Sequence, residues 1–325
     1  MRRLLVGLTA VSVLAAAATA CGSSDDGGGP DAGAASGGGT TTVKLGLIPI
    51  VDVAPVYLGQ RKGFYAEHGL KLSITTAQGG AAIVPGVVSG QFQFGFSNMT
   101  SLMIAQTNDV PVRAVANGIS STGVPGKDFN ALVVKKGSPL KSPKQLEGKK
   151  VAINTLKNIN ETGVRQSVRK AGGDPDKVKF VELAFDQMPA ALDSGRIDAA
   201  GVVEPATATV RSQGGEVIAS PMVDIAPDLT VAMYFTSTRY AQRNPDVVKR
   251  FQQATAESLA YADAHPDEVR EIVTTYTKIP ATVLEQVTLP KWPAEANRSS
   301  IETLAELGRQ DGLFTTEPDL DELLP

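Results

Sequence analysis

The sequence predicts an α/β protein of two lobes, each a mainly parallel sheet flanked by helices. From residue 43 onward, β-branched alternating stretches trade places with apolar stretches of helical spacing, the rhythm of parallel sheets built from βαβ units. A helix–strand unit at 79–98 is echoed at 188–205. The stretch beyond residue 42, about 280 residues, is more than one hydrophobic core usually serves.

The N-terminus stands apart. Arg2 and Arg3 precede an apolar run from Leu4 to Ala20, and small residues then lead to Cys21. A basic start, an apolar middle and a small-residue cleavage point describe a secretory signal over 1–20. The run is short for a bilayer, which needs about 20 apolar residues. Ala18-Thr19-Ala20-Cys21 resembles a bacterial lipobox, whose cysteine thiol is diacylated; an ordinary signal peptide with an incidental Cys21 is the alternative. Cys21 is the single cysteine, which excludes an internal disulfide. Residues 21–42 are Gly, Ser, Ala, Asp and Thr almost throughout, too poor in large apolar groups to fold, and read as a tether. Loss of 1–20 removes two arginines and takes the formal charge from −3 to −5. A mildly acidic chain without a basic stripe is not a nucleic-acid binder.

Val43 to Ile48 alternates and predicts the first strand. Asp52-Val53-Ala54-Pro55 predicts a helix with Asp52 as cap and Pro55 in its first turn, running to about Glu67. Leu70 to Ile74 predicts the second strand. It leads into Gln78-Gly79-Gly80, where the absence of two Cβ atoms lets backbone lie against a ligand. The apolar helix that follows has Pro85 placed in its first turn and ends at Ser89-Gly90. Gln91 to Phe96 alternates polar and aromatic residues, as a half-buried strand does. Ser97 and Asn98 then cap a helix through Met99 and Leu102. Two helix N-termini flanking one strand offer free N–H groups to a polar or anionic solute.

Strands are predicted at 110–115 and 131–134, with a loop-rich stretch, 117–130, between them. The first crossover between lobes is placed at 135, so that 43–134 and 232–325 form lobe 1 and 135–231 form lobe 2. The strand Val151-Ala152-Ile153 ends on Asn154 and Thr155, and Asn160 opens the next helix. These polar side chains suit a neutral or anionic ligand, or cap the helix. Strand 179–183 leads to Phe185, and Met188 to Gly195 repeats the helix with an early proline. The strand after it ends on Glu204-Pro205; Glu204 is either an acceptor for a ligand amine or a helix-cap residue. Thr230 to Thr236, containing Tyr234, is the strand that returns, and two linking strands make a hinge. Trp292 sits at the cleft mouth or anchors a loop.

With these residues in view, the resemblance is to the substrate-binding proteins of ABC importers, the group serving sulfonates, nitrate and thiamine precursors. It is carried by GLIPIVDVAPVYLGQ, KGFYAEHGLKLSI, QGG, SGQFQFGFSN, KSPKQLEGKKVAIN and MPAALDSGRIDAAGVVEP, and spans about 43–310. It implies a type II periplasmic-binding fold, with a cleft loop at Val202-Val203-Glu204-Pro205. It also implies a small solute as ligand, and an ABC permease and cytoplasmic ATPase as partners. The expectation is a monomeric lipoprotein on the outer face of the cell membrane, with no cofactor and no metal.

Catalytic signatures are missing. No HExxH, Walker A, GxSxG or dinucleotide fingerprint occurs, and both histidines, His68 and His265, lie at helix boundaries. The sequence thus predicts a binding protein, not an enzyme. Its expected ligand set is Asp52, Val53, Gln78, Gly79, Gly80, Ser97, Asn98, Asn154, Thr155, Asn160, Phe185, Glu204 and Tyr234. Donor-rich loops favour an aliphatic sulfonate or similar oxyanion. A thiamine-precursor pyrimidine or other planar heterocycle is the alternative.

Overall fold

In the computed structural model, described here for residues 39–325, ten strands form two five-stranded sheets of the same design. The first contains β1 (Thr41–Leu47), β2 (Leu70–Thr76), β3 (Phe94–Asn98), β4 (Val112–Ser120) and β10 (Thr230–Ser237). The second contains β5 (Asn130–Val134), β6 (Lys150–Ile153), β7 (Lys179–Glu182), β8 (Ala199–Val203) and β9 (Glu216–Ala219). Their orders are β2-β1-β3-β10-β4 and β7-β6-β8-β5-β9. In each, the first three strands run parallel and the fourth runs antiparallel to both neighbours. β3 and β8 hold equivalent places, so the echo seen in sequence is an architectural one. The proposed leader, Cys21 and most of the tether lie outside the described residues; Thr41 and Thr42 already pair with Leu70 and Lys71 in β1 and β2.

Four local features differ from the sequence reading. The predicted crossover at 135 puts β5 in the first lobe, but β5 pairs with β8 and β9 in the second sheet. The chain therefore passes over at 121–129 and returns at 220–229. β3 is buried on both faces, not half-buried, because it lies between β1 and β10. The helix Gly80–Val88 starts early enough that Pro85 falls inside it. The helix Ala54–Lys62 breaks at Gly63 (φ +93°) before a short turn of helix, Phe64–Glu67, and its start receives no side-chain cap from Asp52.

Neighbouring antiparallel strands leave the first sheet together as the hinge. Ser120 pairs with Thr230, and Ser121 N donates to Leu229 O at 2.9 Å. Within the crossovers, Gly126 N donates to Ser220 Oγ at 2.7 Å, tying one connector to the other. The larger apolar core lies around the first sheet and takes in Ile159, Val203, Met222 and Ile225 from the second lobe. The lobes thus meet through packed apolar contact as well as at the hinge.

Candidate functional site

Strand ends from both lobes converge between the sheets. β1 delivers Ile48, Ile50 and Asp52; β3 ends on Asn98; β5 begins at Asn130; β6 delivers Asn154; β8 ends at Val203. With Phe96, Phe129, Asn158, Ile159, Asn160, Phe185 and Met222 they enclose an inner cavity of about 40 Å³. That is room for a few water-sized bodies, so a solute enters only as the lobes part. A larger groove of about 650 Å³ adjoins it, bounded by Gln78, Ala184, Pro205 and the 276–280 segment, with Ile48, Ile50 and Phe185 shared between the two. Phe185 stands between the inner cavity and the outer groove.

The lobes pack closely at Gly79. A Cβ on it would lie 2.5 Å from Thr155 Oγ1 and 3.1 Å from Asn154 Nδ2. Beside it, Gln78 Nε2 donates to Asn154 O at 3.2 Å. Gly80 is packed on its own lobe, where a Cβ would come within 2.2 Å of Ser97 Oγ. Glycine is therefore required at both places by space. A third crossing is backbone only: Val51 N donates to Glu204 O at 3.0 Å.

The asparagines of the inner cavity are held by backbone groups. Asn98 Oδ1 accepts from Ser101 N at 2.9 Å, capping the helix Met99–Thr107 as the sequence predicts. Asn158, one of the amides that follow the strand in sequence but not one of the expected ligand set, caps the helix Ile159–Lys170 by accepting from Asn160 N and Glu161 N. Its Nδ2 donates to Asn154 Oδ1 at 2.9 Å. Asn160 Nδ2 donates to Gly201 O at 2.7 Å, and Asn130 Nδ2 donates to Val202 O at 3.0 Å. With their amide groups spent on β8, Asn130 and Asn160 keep buried Oδ1 atoms without a partner.

Asp52 is the one carboxylate in this lining. It is 3% exposed and its Oδ1 has no partner. Burial pushes its carboxyl up to about 8; its own backbone N–H works against that shift and the charge of Asp128 adds to it. Trp292 Nε1 donates to Asp52 O at 3.1 Å, so this tryptophan is a buried anchor for the Asp52 turn.

Three expected site residues lie elsewhere. Val53 is fully buried beneath the turn, and Tyr234 packs in the first core against Phe96 and Phe251. Ser97 is also fully buried, its hydroxyl donating to Asn98 O. Glu204 is at the interlobe junction, but its carboxylate is committed: Oε2 accepts from Ala208 N at 2.9 Å and Oε1 from Thr288 N at 3.1 Å. Burial pushes its carboxyl up to about 7, opposed by those two N–H groups and by Arg211. The cap reading of Glu204 is the one its contacts support. Asn130 was hidden within the loop-rich stretch, its only signal being its place at the start of a strand.

On the far side of the cleft, Asp311, at the end of the helix Arg298–Gln310, is paired with Arg165 and Arg169 of the second lobe. The aspartate side chain is 1% exposed. Among the described residues no group of three His, Cys, Asp or Glu is placed to hold a metal ion. His68 bonds Glu257 and His265 bonds Tyr261 O, and neither lines the cavity or groove.

Residues 50–269, more than half of the chain, match the family described as NMT1/THI5 like. The chain belongs to that family. Among its relatives is the taurine-binding periplasmic protein of Escherichia coli, 26% identical over 206 residues, which are 63% of this chain and 61% of the relative. The formylaminopyrimidine-binding protein of Halalkalibacterium halodurans is 22% identical over 223 residues, 68% of this chain and 65% of that one. The chain thus matches less than two thirds of either relative's length. In three dimensions, this member of the NMT1/THI5-like family superposes on the ligand-binding component of an ABC-type import system from Staphylococcus aureus. The TM-score is 0.76, with 18% identity and coverage of 88% of this chain and 96% of that one.

Proposed function

We propose that this protein is the extracytoplasmic solute-binding component of an ABC importer. It captures a small organic solute between its lobes and presents it to a membrane permease driven by a cytoplasmic ATPase. The carrying observation is the cavity walled by strand ends of both sheets, where Gly79 and Gln78 of one lobe meet Thr155 and Asn154 of the other. A solute held there contacts both lobes at once, so its binding energy drives closure.

The favoured solute is an aliphatic sulfonate or related oxyanion compound, the class in which the taurine-binding relative falls. Among the described residues, Nδ2 of Asn98 and Nδ2 of Asn154 donate to no protein group; these two donors lie beside the N-terminus of the helix Gly80–Val88 and the Gly79 contact. Each charge-assisted hydrogen bond from such a donor contributes roughly 1.5–3 kcal/mol. Three of them with apolar cover from Phe185 reach the micromolar range, about −8 kcal/mol. A planar heterocycle is the second reading, supported by Phe185 and Phe129 in the lining and by the formylaminopyrimidine-binding relative. Binding without turnover is proposed for either.

Lipid attachment at Cys21, after removal of 1–20, would hold the monomer at the outer face of the membrane on the 21–42 tether. The lipobox-like Ala18-Thr19-Ala20-Cys21 supports this. Labelled fatty acid should enter the wild-type chain in a bacterial host and not the Cys21→Ala variant. For the binding function, the test is a thermal-shift panel of alkanesulfonates, taurine, nitrate, aminopyrimidines and amino acids. A solute at 100 times its Kd should add about 2.7 kcal/mol of stability. A panel in which no member raises Tm, with product assays positive for any of them, would overturn the binding reading.

A further inference from the structure

Three of the residues that line the inner cavity carry a buried oxygen without a partner: Asp52 Oδ1, Asn130 Oδ1 and Asn160 Oδ1. Buried polar atoms are seldom left unpaired, and an isolated buried carboxylate least of all. Asparagine could turn its amide over and offer N–H instead, but these two cannot. Their NH₂ groups are engaged by Gly201 O and Val202 O of β8, which fixes the oxygens as acceptors. Gly201 keeps the first of these in place, since a Cβ there would lie 2.6 Å from Asn160 Oδ1.

The charge balance points the same way. No Lys or Arg lines the cavity, while Asp52 does, and Asp128, 1% exposed in the first crossover, adds a second buried acid nearby. Asp128 is itself satisfied by Ser121 Oγ, Thr122 N and Thr122 Oγ1. Asp52 is not. A bare oxyanion would meet only acceptor oxygens at Asn130 and Asn160, and like charge at Asp52 once that carboxyl ionises. A nitrogen carrying N–H would find up to three acceptors.

Resting on the solute-binding reading above, we propose that Asp52, with Asn130 and Asn160, forms a subsite for an ammonium, amidinium or amino group of the solute. Any oxyanion end of that solute is turned toward the Asn98, Asn154 and Gly79 donors. Among sulfonates, this selects the aminosulfonates. Asp52 is the counter-ion: it is largely protonated in the empty cavity, and it ionises when a cation arrives. Capture of an ammonium near pH 7 therefore releases a proton to solvent.

The test is isothermal titration of the whole soluble chain with taurine, 2-hydroxyethanesulfonate, propanesulfonate, 2-aminopyrimidine and acetamidine. Each is run in two buffers of different ionisation enthalpy. Taurine should bind about tenfold or more tighter than its hydroxyl and alkyl counterparts. Its binding should release close to about one proton per molecule at pH 7. In Asp52→Asn the preference for taurine over 2-hydroxyethanesulfonate should vanish, with binding of the latter kept. The proton release is read on the unaltered chain, so the test survives even if that variant fails to fold. Equal binding of all three sulfonates without proton release would overturn the subsite and leave the sulfonate-binding function standing. Asp52-dependent binding of 2-aminopyrimidine or acetamidine alone would uphold the subsite and displace the sulfonate class. No binding by any of the five would overturn both.

Discussion

Gly79 of the first lobe faces Thr155 of the second so closely that a methyl group has no room between them: a Cβ on Gly79 would sit 2.5 Å from Thr155 Oγ1. The backbone at Gly79 is extended (φ −166°), a conformation open to any residue, so glycine is needed here for space alone. The lobes close on a surface that a single side chain would wedge.

Gly79→Val should therefore hold the lobes apart. Solute affinity should fall about tenfold or more while Tm of the free protein changes little, and small-angle scattering in saturating solute should show the wider form. Thr155→Ala in the same chain should restore part of the affinity, because the two residues are in contact and their effects cannot add.

Gly80→Ala is a different experiment on the adjacent residue. Its new Cβ would meet Ser97 Oγ at 2.2 Å and Ser97 Cα at 2.8 Å. A hydroxyl can rotate away, but the backbone of a central, fully buried strand cannot. Overpacking of this kind costs about 1–3 kcal/mol, which urea unfolding of the variant should register as a lower midpoint.

Asp311→Ala removes the shared partner of Arg165 and Arg169 across the lobe interface. Their side chains are 15% and 19% exposed; Arg165 would keep Asp176, but the Arg169 guanidinium would be left without a carboxylate in poorly hydrated surroundings. Breaking such a pair costs about 3 kcal/mol or more, although the intact pair itself contributes little net stability. Calorimetry should show a lower Tm, and added salt should not recover it.

Stability should also depend on pH in a defined direction. Unfolded, Asp52 gives up its proton near 3.8 and Glu204 near 4.5; folded, they hold it to about 8 and about 7. Across that window the folded chain binds more protons, so the contribution of these two groups is fully present below about pH 4 and is lost as pH rises to 8. The Asp52→Asn variant lacks its share of this loss. Its stability relative to wild type, read by urea unfolding at pH 5 and pH 8, should be higher at the upper pH.

Much of the fold can be read from the chain, and the limits have physical causes. Strand-helix alternation located nine of the ten strands, because apolar spacing and caps such as Asn98 act over a few residues; the short edge strand β9, Glu216–Ala219, went unread. The lobe to which Ala131-Leu132-Val133-Val134 belongs could not be read, since a strand buried on both faces carries no mark of its neighbours. Glu204 shows the same limit at the site: one of its partners, Ala208, is four residues away, but the other, Thr288, is 84 away. Asp52 is legible in the sequence as a helix-cap and ligand candidate, and it makes no side-chain cap. Its burial with an unpartnered carboxyl oxygen depends on residues far away in the chain, among them Trp292, which holds its backbone carbonyl.

The two sheets share one design but not one order of appearance. All five strands of the second sheet come from a continuous stretch, 130–219, so that layer can close as soon as those residues leave the ribosome. The first sheet cannot, because β10 fills the slot between β3 and β4, and it is synthesised after everything else in either sheet. Until residue 237 emerges, β3 and β4 have a missing neighbour between them and their inward edges are bare. The nascent chain therefore passes, between residues 219 and 237, through a stage with the second sheet complete and the first ajar, and a protease meeting it there would find its N-terminal half the vulnerable one.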